Sequence, residues 1–253
     1  MNVPNEWRQS KFIVHPRTGA LRGSRSQKEL SVGSRLVADR VGKFYTYSIR
    51  QYAHGQLLDL GCGKAPFLGY YAQFVDGATL VDWSSSIHEN PLLDIEADLN
   101  QPLQIGDETY DTVILSDVLE HIAEPQALLG EVARVLRADG GVLLLNVPFY
   151  YPIHEEPFDF HRYTCFALDR MCIAAGLEVV DISATGGAPE IMADVSAKLI
   201  QRLPVVGRYI AALIQLAGER LTNFGPGRSI SNSTARRFPL GYTVVAVKHG
   251  DHR

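Results

Sequence analysis

The chain has 253 residues, 46% hydrophobic and 21% charged, with a net charge of −4. Those values describe a globular protein long enough to bury a full core; they exclude a largely disordered chain, and the acid surplus gives no global case for a nucleic-acid binder. Three cysteines, Cys62, Cys165 and Cys172, lack the paired spacing of a zinc site and are an odd number for a disulfide framework, so no metal site and a reducing compartment are expected.

The first 50 residues hold ten Lys or Arg between Arg8 and Arg50 against Glu29 and Asp39, with no strong strand, and read as a basic loop-and-helix cap. From residue 56 strands and helices alternate: a buried strand at 56–60, a helix at 65–74, a strand at 78–83, a short one near Ile95 to Leu99, and another at 110–117. A helix follows with Pro125 near its start and Gly140 and Gly141 at its end. Residues 141–148 form the next strand, 164–175 a helix, 177–183 a strand, and 242–249 the last strand. Between 188 and 222 lies an insertion with helical spacing, divided at Pro204. Packing over a pocket, dimerisation and contact with a membrane surface would each produce its amphipathic pattern. Alternation of this kind predicts an α/β doubly wound, mostly parallel sheet covered by helices, residues 51–253 forming one domain.

In such a sheet, ligands sit beyond the carboxyl ends of the strands. Gly61 and Gly63, in "LLDLGCGKAPF", fall there, and glycine lets a ligand approach the backbone without a Cβ in the way. A dinucleotide fingerprint would need glycine where Pro66 stands, which disfavours a nicotinamide-dependent oxidoreductase; the phosphate-loop spacing is absent. Asp59 would repel a pyrophosphate and suits a ligand with a cationic part. Asp82, ending the second strand, sits where a carboxylate accepts hydrogen bonds from ribose, with Trp83 as a flat surface for a base.

The ordered segments "LLDLGCGKAPF", "LVDWS", "ADLNQPL", "YDTVILSDVLEHI", "EVARVLRADGGVLLLNVP" and "GYTVVAVK" resemble the signatures of class I S-adenosylmethionine-dependent methyltransferases, most closely the small-molecule branch with D-x-G-C-G and "LEH" patterns. The resemblance implies a Rossmann-like sheet of seven strands, the last antiparallel, and S-adenosyl-L-methionine as cofactor. It implies that Asp59, Gly61 and Gly63 line the methionine end, that Asp82 holds the ribose with Trp83 against the adenine, that Asp98 and the Leu99 backbone meet the adenine amino group, and that Ser116 offers its carbonyl to the methionine amino group.

For the acceptor, the best-stocked segment is "VPFYYPIHEEPFDFHRYT", 147–164, leaving the carboxyl end of the fourth long strand. Histidine is the natural base near neutral pH. His154 or His161 is the expected base or orienting residue, with Asp159 as partner; Asp159, His161 and Arg162 forming a network that only pins the loop is the competing reading. His121 either faces the same site or bonds locally. The expectation is a cytoplasmic enzyme methylating a small molecule, at oxygen, with no nucleic-acid partner, no integral membrane segment and homo-oligomerisation left open. The alternative from another class is a non-catalytic binding protein that keeps the cofactor fold.

Overall fold

A computed structural model describes residues 1–83 and 90–250. The chain opens with a small hairpin, β1 (Phe12–Val14) and β2 (Leu21–Gly23), then helix α1 (Arg35–Tyr52). Next come β3 (Gln56–Leu60), the short α2 (Leu68–Tyr71), β4 (Gly77–Asp82), β5 (Ile95–Glu96), β6 (Thr112–Ser116), α3 (Pro125–Val135), β7 (Val142–Pro148), α4 (Cys165–Ala174) and β8 (Leu177–Ala184). Three consecutive helices, α5 (Ala188–Ile200), α6 (Gly207–Asn223) and α7 (Gly225–Ala235), precede β9 (Gly241–Lys248).

The main sheet has seven strands in the order β5-β4-β3-β6-β7-β9-β8, with β9 antiparallel to both its neighbours and the others parallel. It is the mostly parallel sheet with an antiparallel last strand that the sequence predicts. Central strands are apolar throughout because both sheet faces are covered: Leu57, Leu58 and Leu60 of β3 and Val113, Ile114 and Leu115 of β6 are fully buried. One face packs against Leu128, Leu129 and Val132 of α3; the other packs against α1 and the α2 region through Tyr45, Ile49, Phe67 and Tyr71. Helix α1 crosses the boundary expected at residue 50, and its buried stripe belongs to the sheet's own core.

Three expectations need correction. The helix expected over 65–74 shrinks to Leu68–Tyr71, since Ala65 takes a left-handed φ of 47° that no helix accommodates. The basic cap contains the β1–β2 hairpin. The helical part of the insertion runs beyond 222 into α7, whose "GPGRSISNSTA" composition reads as loop; tertiary bonds hold it, with Ser231 donating to Glu190 and Thr234 Oγ1 accepting from Ala188.

Register places the site. Leu60 pairs with Val81, Leu115 with Leu60, and Ser116 with Asn146, so the carboxyl ends of four strands finish along one edge. Gly61, Asp82, Asp117 and Pro148 emerge there side by side.

Candidate active site

A cavity of about 780 Å³ opens at that edge, a volume within the roughly 300–1,000 Å³ usual for ligand sites. All eight cofactor residues expected from the sequence line it: Asp59, Gly61, Gly63, Asp82, Trp83, Asp98, Leu99 and Ser116. The turn after β3 is shaped by Gly61 and Gly63, both at positive φ (67° and 50°). A Cβ on Gly61 would lie 2.5 Å from Val118 Cγ2, so this turn admits no side chain. Asp82 braces it from the next strand: Oδ2 accepts from the Gly63 N–H at 2.8 Å and Oδ1 from the Trp83 N–H at 2.7 Å.

Asp59 is buried, and its carboxylate accepts a long bond, 3.3 Å from the Tyr71 hydroxyl. Burial pushes its pKa to about 7, with the Asp82 charge adding to the effect and the Tyr71 bond opposing it. A cation placed beside this carboxylate would restore its charge, so the buried acid fits a ligand with a positive centre. At the other end of the cavity, Trp83 stands edge-on to Phe158 with ring centroids 5.1 Å apart. Asp98 accepts from the backbone and side chain of Asn100, whose own Oδ1 receives the Ala123 N–H, fixing the loop below Trp83.

The strand ends are joined by a chain of hydrogen bonds absent from the sequence reading. Tyr45 on α1 and Ser116 both donate to Asn146 Oδ1 (2.9 and 2.7 Å), and Asn146 Nδ2 donates to Asp117 Oδ1 at 2.6 Å. Asp117 has a left-handed φ of 53° and its Oδ2 pairs with Lys11 at 2.8 Å. Ser10, Lys11 and Phe12 of the N-terminal arm form part of the cavity wall.

The side of the cavity expected to take the acceptor is built from the 149–164 loop and a 3-10 turn, Leu119–His121. The loop is tied to the turn: the Phe160 and His161 N–H groups donate to the Glu120 carbonyl, and the Tyr163 hydroxyl donates to the Leu119 carbonyl at 2.8 Å. Arg162 donates through both terminal nitrogens to Asp159, at 2.5 and 2.7 Å, and the Asp159 carboxyl is held far below the usual range by that pairing.

His154 lines the cavity, whereas His161 and Asp159 do not. His154 Nδ1 lies 3.2 Å from Asp159 Oδ2 and 3.3 Å from the Pro152 carbonyl, so Nδ1 carries the proton and Nε2 presents a lone pair. Burial, followed by neighbouring His121, lowers the His154 pKa and so favours the neutral ring, with Asp159 opposing the shift. The His161 Nε2 instead approaches the Ala123 carbonyl at 3.4 Å. The competing loop-pinning reading therefore describes Arg162 and Asp159, although Asp159 also orients His154.

Glu120 escaped the sequence reading. It is wholly buried, neither carboxylate oxygen has a hydrogen-bond partner among the described residues, and burial with the Asp117 charge raises its pKa far above the usual range. Its Oε1 is 3.8 Å from both His121 Nε2 and His154 Nε2, and the His121 Nδ1 is occupied by the Phe158 carbonyl at 2.9 Å. These three side chains offer ligand atoms within 4.8 Å of one another, close enough to receive a divalent ion. The only sequence signal was an acid beside a histidine just past a strand end.

A family model described as a methyltransferase domain matches residues 33–182. No curated protein matches the sequence. Among solved structures, an S-adenosylmethionine-dependent methyltransferase from Mesorhizobium loti is 16% identical, covers 82% of this chain and 99% of its own, and superposes with a TM-score of 0.52. A chain from the complex of the Haloferax volcanii Trm112 methyltransferase activator with a methyltransferase is 17% identical over 87% and 96%, with a TM-score of 0.52. The [4+2]-cyclase SpnF is 17% identical over 89% and 86%, with a TM-score of 0.53. Those likenesses carry the fold, and the family match carries more: spanning more than half the chain and enclosing the glycine turn, Asp82 and the Leu119–His121 turn, it makes this chain a member of the class I S-adenosylmethionine-dependent methyltransferases.

Proposed function

We propose that the chain methylates a hydroxyl oxygen of a small-molecule acceptor, with His154 as the base. The observation supporting this reading is the His154 imidazole, its Nδ1 3.2 Å from Asp159, on the wall of the cavity lined by the residues expected to meet the cofactor. The bound cofactor supplies an electrophilic methyl group on a sulfonium. Asp59 would meet its cationic end, Asp82 its ribose, Trp83 and Asp98 its adenine, and the Ser116 carbonyl its amino group.

The protein's contribution is then positioning and proton removal. The strand-end network through Asn146 and Asp117 keeps the floor rigid. Aromatic residues Tyr151 and Phe158, both on the cavity wall, help exclude water from it. His154 Nε2 takes the hydroxyl proton as the oxygen attacks, and Asp159 stabilises the imidazolium formed. The assay is methyl transfer from radiolabelled cofactor to a panel of hydroxylated and aminated small molecules. His154→Ala is expected to lower turnover of a hydroxyl acceptor by about 10²–10⁴ while leaving S-adenosylhomocysteine affinity unchanged. Wild-type turnover in that variant, or transfer confined to amines, overturns the reading.

One observation favours a second version of the same chemistry. The buried Glu120, without a hydrogen-bond partner among the described residues and facing two histidine lone pairs, has the make-up of a two-histidine, one-carboxylate site. A divalent ion there would lower the acceptor hydroxyl's pKa directly, with His154 as ligand rather than base. Activity that disappears after chelation and returns with an added divalent metal selects this version; unchanged activity in metal-free protein retains the first.

A further inference from the structure

Helix α6 is built inside out. Its buried positions are Gly207, Ala211, Gln215, Gly218 and Thr222, small or polar residues at helical spacing. Gln215 accepts from the Leu36 N–H and donates to the Gly33 carbonyl, Thr222 accepts from Arg40, and Gly218 permits close approach to Ala193 of α5. The helix therefore docks through hydrogen bonds and close packing, with Ile214 partly buried, and leaves most of its large apolar side chains outside. Tyr209, Ile210, Leu213 and Leu216 face solvent, Leu213 with 65% of its surface accessible.

The neighbouring elements repeat the inversion. Every exposed residue of α5, namely Met192, Val195 and Leu199, is apolar. The connection between α5 and α6 carries Leu203, Pro204, Val205 and Val206, all exposed, with Val205 at its apex 84% accessible. Phe224, between α6 and α7, is 70% accessible. Single exposed apolar residues are ordinary, but a concentration on consecutive elements marks a surface that something covers.

Charge identifies what covers it. Between residues 201 and 240 there are six arginines, Arg202, Arg208, Arg220, Arg228, Arg236 and Arg237, and one acid, Glu219, in a chain whose net charge is −4. Arg202 and Arg208 bracket the apolar connection directly. A second copy meeting this face across a two-fold axis would bring the arginine-rich surface against itself. An anionic partner with an apolar interior satisfies both features, and no helix among the described residues is long and apolar enough to cross a membrane. We infer that the α5–α6 face lies on an anionic lipid bilayer, with Leu203–Val206 and the outer side of α6 inserted among acyl chains and the arginines at headgroup level. Helix α5 also reaches the catalytic cavity, since Lys198 sits over the ring of Tyr151, 3.5 Å from its centroid. Docking would thus hold the acceptor side close to the membrane.

The test is flotation of the full chain with phosphatidylcholine vesicles, with and without about one third phosphatidylglycerol. Binding to the anionic vesicles alone, weakened by salt, is expected. Val205→Glu with Leu213→Glu, and separately Arg202→Glu with Arg208→Glu, should each reduce that binding by roughly tenfold or more, with thermal melts matching wild type. Lack of binding, equal binding to uncharged vesicles, or loss in neither variant overturns the proposal. So does a solution dimer that binds no vesicles and is split by the Val205/Leu213 variant, which would give the face to a second copy.

Discussion

Lys11 Nζ lies 2.8 Å from Asp117 Oδ2, latching the N-terminal arm to the end of β6 across the cavity wall. Both partners are partly exposed (43% and 27% of their side-chain surface), so the pair contributes at most about 1 kcal/mol to stability. Its larger effect is on access. Lys11→Ala is expected to leave the melting temperature nearly unchanged while accelerating S-adenosylhomocysteine release several-fold, read by stopped-flow fluorescence. An unchanged release rate would show that the arm does not gate the cavity.

Asp59 should make stability and cofactor affinity depend on pH in opposite senses. Its pKa rises from 3.8 to about 7 on folding, so between those values the folded chain retains a proton that the unfolded chain releases. Stability therefore falls as pH climbs through that window, by on the order of 4 kcal/mol in full. Affinity for the cationic cofactor should rise over the upper part of the same window, because ionised Asp59 is the form that meets a cation. Asp59→Asn should flatten both profiles, measured by thermal melts and calorimetric titration from pH 5 to pH 8.

Gly61→Ala forces a methyl group to within 2.5 Å of Val118 Cγ2 at a residue with φ 67°. The left-handed conformation alone costs a non-glycine residue about 1–2 kcal/mol, and displacement of Val118 adds to it. We expect a lower melting temperature and at least tenfold weaker S-adenosylhomocysteine binding, roughly 1.4 kcal/mol. Wild-type affinity in a normally folded variant would mean the turn does not meet the ligand.

Removing the guanidinium at Arg162 strands a buried carboxylate. Arg162→Met should cost about 2 kcal/mol and release the 149–164 loop to proteolysis. Because pairing depresses the Asp159 pKa in the folded chain, its stabilisation is present above about pH 4 and lost as the pH falls below it. The variant's deficit should therefore narrow in acid, as denaturant titrations at pH 3 and pH 7 would reveal.

What could be read beforehand follows from which interactions are local. The β3 turn was legible because Gly61 and Gly63 occupy positive-φ positions, and a strand ending in Asp82 announces a partner for that turn. Buried strands such as Leu143–Leu145 were legible as unbroken apolar runs. Glu120 was not, because its burial comes from a loop some forty residues later that folds over it through Phe160 and His161. Helix α7 was hidden for a related reason: Gly, Pro and Ser disfavour it locally, while Glu190 and Ala188 supply distant partners. His154 and His161 looked equivalent in sequence, and only the course of the loop sends one ring into the cavity and the other towards Ala123.

The antiparallel placement of β9 between β7 and β8 has a consequence for how the chain is made. Until Gly241–Lys248 leaves the ribosome, β7 has an open edge and β8 has no strand to pair with, although everything needed for the cofactor turn has already been synthesised. A nascent chain stopped at α7 would carry a nearly finished ligand cavity beside an unsealed hydrophobic sheet, open to chaperones and to wrong partners. The last strand therefore acts as the closing step of assembly, joining the two unfinished parts of the sheet.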